Sequence, residues 1–128
     1  MSINALLVDD QTLVRSGIRS LLELNEDITV CAEASDGEEG LRLMQTHQPD
    51  IVLIDIRMPV LNDIDTIKRM VELQLKIPVI VLTTFDDNEL FLAAIKQGAK
   101  GFLLKDVSLE QLTTAVRTVA AGGTLIQP

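Results

Sequence analysis

Along this chain, short runs of branched apolar residues alternate with longer stretches in which apolar positions recur at helical spacing. The runs are Ala5–Val8, Ile28–Ala34, Ile51–Ile54, Val79–Leu82 and Gly101–Leu104. Short, nearly continuous apolar runs of this kind predict strands buried on both faces. In the first intervening stretch Val14, Ile18, Leu21 and Leu22 fall at i, i+4, i+7 and i+8, one face of a helix. Leu109, Leu112, Val116 and Val119 form a comparable stripe in the last stretch.

Local punctuation agrees with this division. Ser35-Asp36-Gly37-Glu38 and Ser108-Leu109-Glu110-Gln111 each fit a capping box, in which a hydroxyl and a side chain three residues on satisfy free amides. Gly98 and the pair Gly122-Gly123 read as helix stops. Pro49 and Pro78 stand just before strands, where a missing amide costs no ladder hydrogen bond. The result is a strand-helix unit repeated five times. It predicts an α/β domain with a five-stranded parallel sheet covered on both faces. At this size the flavodoxin-like (βα)5 arrangement with strand order 2-1-3-4-5 is common.

In an open parallel sheet the ligand crevice lies beyond the carboxyl ends of the strands. Asp9 and Asp10 follow the first run, Asp55 the third, Thr83 and Thr84 the fourth, and Lys105 the fifth. Adjacent carboxylates repel by ~1 kcal/mol in water and ~4 kcal/mol at a partly buried site. Three of them on one rim need a cation or a raised pKa, and hard oxygen donors on a shallow rim suit Mg²⁺. A metal-bound carboxylate facing a hydroxyl and an ammonium is a place for a phosphoryl group, with Asp55 as the central nucleophile.

Composition narrows the partners. The 128 residues carry 11 basic and 19 acidic side chains, for a net charge of −8, and include neither Trp nor Tyr. Direct nucleic-acid binding by this surface is therefore not expected. No apolar run is long enough to span a membrane, and the first strand begins too early for a leader peptide. A single cysteine, Cys31, excludes an internal disulfide and suits a cytoplasmic setting. His47, the only histidine, reads as a surface residue before Pro49.

With these residues placed, the chain resembles a two-component response-regulator receiver domain. The stretches "LLVDDQ", "DIVLIDIRMP", "VIVLTTFDD" and "GAKGFLLKD" carry the likeness, in that order, over nearly the whole chain. "VRSGIRSLLE" and "AVRTVAAGGTLIQP" resemble the NarL/FixJ subfamily, whose receivers precede a LuxR-type helix-turn-helix domain. The resemblance implies that Asp55 accepts a phosphoryl group from a sensor histidine kinase. It implies Mg²⁺ held by Asp10, Asp55 and the main-chain carbonyl of Arg57, with Asp9 acting through water. Thr83 and Lys105 would bind the phosphoryl oxygens, and Thr83 with Phe102 would form the switch. It further implies a homodimer after phosphorylation and DNA contact only through the output domain, which is absent from this sequence. On this reading residues 1–123 are the receiver and 124–128 begin a linker; a stand-alone receiver is the alternative. The domain is expected to catalyse only its own phosphorylation and dephosphorylation.

Some positions invite narrower expectations. Where the family usually has Gly after an acidic residue or Asn, this chain has Asn62-Asp63, so the turn before the third helix is expected to be strained or remodelled. Leu90 and Phe91 are adjacent, and one of them is expected to face a partner. Arg57 and Phe85, each two residues beyond a site residue, are expected to tune the aspartyl-phosphate lifetime. An Mg²⁺-dependent phosphatase with an Asp nucleophile would need a second Asp at position 57, where Arg stands. A flavin carrier would need a Gly- and hydroxyl-rich loop where this chain has Asp9-Asp10-Gln11.

Overall fold

The computed structural model describes residues 2–55, 62–83 and 88–126. Its elements run β1 (Ile3–Asp9), α1 (Thr12–Leu22), β2 (Ile28–Ala34), α2 (Gly37–His47), β3 (Ile51–Asp55) and α3 (Asp63–Glu72). They continue with β4 (Val79–Thr83), α4 (Asn88–Lys96), β5 (Gly101–Leu104), α5 (Leu109–Ala120) and β6 (Leu125–Ile126). All described strand pairs are parallel, and the sheet order is β2-β1-β3-β4-β5-β6. The expected order 2-1-3-4-5 is therefore present, and the two-residue β6 extends it at the β5 edge.

The continuous apolar strands are explained by what covers them. Leu6, Val8, Val52, Ile54, Val79 and Val81 face one layer with Leu41, Met44, Ile67 and Met70 of α2 and α3. Ala5, Leu7, Leu53, Ile80, Leu82 and Leu103 face the other, with Leu22 of α1 and Leu112, Val116 and Val119 of α5. Full burial of each such side chain contributes ~1.5–3 kcal/mol, so the two layers supply most of the drive to fold. Of the predicted α1 face, Leu22 is fully buried and Val14 and Ile18 partly so, while Leu21 turns outward.

The helix ends sharpen the sequence signals. Ser108 and Gln111 form the expected reciprocal box at α5. At α2 the cap is Asp36, one residue later than expected. Its Oδ1 accepts from the Glu39 amide at 2.8 Å, while Glu39 reaches back to the Ser35 amide at 2.8 Å. Gly98 and Gly122 have φ of 108° and 99°, a left-handed stop that glycine adopts without strain. Asp63 opens α3, and the turn that leads to Asn62, expected to be strained or remodelled, lies outside the described residues. Asn62 is the helix cap, its Oδ1 accepting from the Asp65 amide at 2.9 Å.

β1 and β2 do not run in simple register. Ala5 pairs with Val30 but Leu6 pairs with Ala32, so Cys31 is an extra residue on β2. The slip changes which residues face which layer. Ile28 and Val30 face the α1/α5 side, whereas Ala34 faces the α2/α3 side. Glu33 is thereby turned toward α1, the kind of re-aiming that bulges produce beside functional sites.

Candidate functional site at the carboxyl rim

The sheet brings Asp9 and Asp55 side by side, because they are register partners at the ends of β1 and β3. Both are almost fully buried, at 3% and 4% exposure. Lys105 bridges them, its Nζ 2.8 Å from Asp9 Oδ2 and 2.6 Å from Asp55 Oδ2. The other Asp9 oxygen accepts from the Gln11 amide at 2.8 Å, which fixes the carboxylate against the start of α1. Thr83 is fully buried at the end of β4, and its carbonyl accepts from the Lys105 amide at 2.7 Å. That bond seats the base of Lys105 directly across from Thr83.

Burial alone would lower the Lys105 pKa, but its contacts with Asp55 and Asp9 outweigh burial and hold it above the usual lysine value. Lys105 is therefore a firmly charged ammonium between two carboxylates. Among the described residues, that one ammonium bridges two buried carboxylates.

Asp10 is exposed, just past the end of β1. Of the residues expected on one rim, the structure brings Asp9, Asp55 and Lys105 into contact, sets Thr83 at the neighbouring strand end and leaves Asp10 exposed. Arg57, Thr84 and Phe85 lie outside the described residues, as do the flanking Met58-Pro59. Phe102 is buried, and its ring meets Phe91 edge-on with centroids 5.2 Å apart at 86°. Phe91 therefore belongs to the core side of α4, while its neighbour Leu92 is 64% exposed; the Leu90 side chain lies outside what is described.

The carboxylates at the rim offer hard oxygen donors, which fits Mg²⁺. Among the described residues no three carboxylates already stand together in a group able to hold an ion. Lys105 stands between Asp9 and Asp55.

One residue escaped the sequence reading. Arg15, on α1, donates Nη1 to the Asp9 carbonyl at 2.6 Å and Nε to Glu33 Oε1 at 3.0 Å. The available signal was a cation in the opening turns of a helix, where the macrodipole disfavours it.

The fold and rim together define a class. The profile described as "Response regulator receiver domain" matches residues 5–117. The chain belongs to the response regulator receiver family, and its relatives are of the NarL/LuxR type. It is similar to the transcriptional regulatory protein LnrK of Bacillus subtilis, at 42% identity over 98% of this chain and 57% of that protein. It is also similar to the nitrate/nitrite response regulator protein NarL of Escherichia coli, at 38% identity over 91% of this chain and 54% of that one. The signal receiver domain of NarL from Mycobacterium tuberculosis superposes with a TM-score of 0.89 at 32% identity, covering 94% of this chain and 98% of that domain. The chain spans about half the length of the curated relatives it matches. Receivers of this family are signalling modules of two-component systems. Among the described residues no helix is long and apolar enough to cross a membrane.

Proposed function

We propose that this domain accepts a phosphoryl group on Asp55 from a sensor histidine kinase and thereby controls a helix-turn-helix output domain in the cytoplasm. The observation that carries the reading is the pairing of Asp9 with Asp55 in register, both buried and both held by Lys105. A structural role alone gives little reason to bury carboxylates and an ammonium together at the carboxyl end of a parallel sheet, where ligands bind.

In this reading a carboxylate oxygen of Asp55 attacks phosphorus and the donor's leaving group departs. Lys105 and Thr83 take the phosphoryl oxygens, so Lys105 exchanges part of its contact with Asp55 for the new anion. Asp10, Asp55 and the Arg57 carbonyl would hold Mg²⁺, with Asp9 acting through water. When bound, that ion would add positive charge at the rim and offset the charge of the phosphoryl oxygens. Asp9, tied to the Gln11 amide, orients the cluster.

Phosphorylation adds nearly two negative charges at the buried end of β3. Thr83 moves toward them, and the space behind it favours the inward position of the Phe102 ring. Because that ring packs on Phe91, its position biases the surface of α4, β5 and α5, and through it self-association. The device is a population shift between two states, worth ~1–3 kcal/mol of coupling.

The test is to incubate the domain with Mg²⁺ and a small acyl-phosphate donor and to weigh it intact. A single phosphoryl adduct that disappears in Asp55→Ala is expected. No adduct, or one that persists in that variant, would sink the assignment.

A further inference from the structure

The end of β1 is held from behind by a residue outside the acidic rim. Arg15 lies in the opening turns of α1, where its charge opposes the helix macrodipole. Its side chain is only 14% exposed. What keeps it there is a set of contacts across two strand ends. Nε meets Glu33 Oε1 at 3.0 Å, and Nη1 meets the Asp9 carbonyl at 2.6 Å and the Ala34 carbonyl at 3.4 Å. Glu33 reaches this position because the extra residue Cys31 turns it toward α1. Its second oxygen is engaged by Arg19, so the acceptor for Arg15 is itself fixed.

The Asp9 carbonyl belongs to the peptide that joins Asp9 to Asp10. Rotation of that peptide would move the two carboxylates relative to each other, one inside the rim and one at its mouth. A charge-assisted hydrogen bond at 2.6 Å restrains that rotation. The planar guanidinium serves Glu33 and the carbonyl together, which a point-like ammonium does less well.

We propose that Arg15 is a positioning residue for the Mg²⁺ site. Through the Asp9 carbonyl it sets the mutual angle of the Asp9 and Asp10 carboxylates, and Glu33 acts by holding Arg15. The proposal rests on the Mg²⁺ reading given above. The simpler role, fastening β2 to β1, predicts lower stability with metal affinity intact.

The test measures Mg²⁺ binding by calorimetry and thermal stability separately for the parent domain, Arg15→Met, Arg15→Lys, Glu33→Gln and the double variant Arg15→Met/Glu33→Gln. Arg15→Met should weaken Mg²⁺ binding by about tenfold, the scale on which residues orienting metal ligands act. Arg15→Lys should recover part of that loss. The double variant should bind as weakly as Arg15→Met alone, because Glu33 works through Arg15. The proposal is overturned if folded Arg15→Met binds Mg²⁺ within about twofold of the parent, or if the two losses simply multiply. Should Arg15→Met fail to fold, parent-like affinity in both Arg15→Lys and Glu33→Gln overturns it. A parent domain that binds no Mg²⁺ brings down the underlying reading as well, whereas a binding parent with unchanged variants brings down the positioning role alone.

Discussion

Two clusters of charge flank the end of β1, and they are built in opposite ways. The outer one, on the α1 and β2 side, sets Arg15 and Arg19 against Glu23 and Glu33, with side chains between 14% and 44% exposed. Charges balance, and solvent is near enough to screen them, so each pair contributes modestly. Among the described residues, the inner cluster sets Lys105 against Asp9 and Asp55, all under 10% exposed. There one ammonium bridges two buried carboxylates, and little water is near enough to screen them. A fold selected only for stability would replace such a cluster with apolar side chains. The outer cluster therefore reads as architecture, and the inner one fits the phosphoryl site proposed above.

The strongest way to break this comparison is to remove Lys105. Lys105→Met should lower stability at pH 7 by about 3 kcal/mol, because two buried carboxylates lose the ammonium that bridges them. Urea denaturation checks this. Part of the loss should return with Mg²⁺ present. A variant as stable as the parent without metal would mean that the ammonium does not hold the inner cluster together. In the parent, the raised pKa of Lys105 implies a contribution that is complete below the usual lysine value. That contribution is lost as pH rises through the higher folded value.

Why the inner cluster was legible in the sequence and the outer one was not follows from the physics of each. Buried parallel strands must be apolar, so Asp9, Asp55, Thr83 and Lys105 mark the strand ends by being the first polar residues after apolar runs. The sheet then has no choice but to gather them. The Arg15–Glu33 contact depends on the slip at Cys31, and a small residue inside an apolar run leaves no trace in the periodicity. β6 was hidden for a related reason. Two apolar residues after Gly122-Gly123 are too short a run to signal a strand. Its pairing also rests on Gly101, where an added Cβ would come within 2.8 Å of Ile80 and 3.3 Å of the Leu125 carbonyl. At α2, Ser35 and Asp36 are both good caps, and only the geometry chooses between them.

A smaller effect is expected in the outer cluster. Burial alone would raise the pKa of Glu33, but hydrogen bonds from Arg19 and Arg15 more than offset it and hold the carboxyl below the usual range. Glu33→Gln should therefore cost about 1 kcal/mol at pH 7. A depressed folded pKa contributes stability that is present above the unfolded value, ~4.3, and lost as pH falls through the folded one. The gap between parent and variant should accordingly close below about pH 4. A gap that stays constant down to pH 3 would show that packing, and not charge, holds Glu33.

The smallest change should have the opposite sign and sharpens the contrast most. Asp10 is exposed and, among the described residues, takes part in no ion pair. Its charge lies next to that of Asp9 in sequence, and Asp9 is the register partner of Asp55. Asp10→Asn should therefore raise stability without metal by roughly 0.5–1 kcal/mol, the repulsion expected between neighbouring charges in a water-like medium. In the parent, Mg²⁺ should raise the melting temperature, because an ion that binds only the folded form stabilises it by mass action. In Asp10→Asn that rise should largely vanish, since one of the carboxylates proposed to hold the ion is gone. The two measurements pull apart two roles for Asp10. A gain in stability with the Mg²⁺ effect intact would make Asp10 an electrostatic bystander and leave the metal to Asp9 and Asp55. A gain accompanied by loss of the Mg²⁺ effect would mean that the residue least needed by the fold is the one the ion needs most.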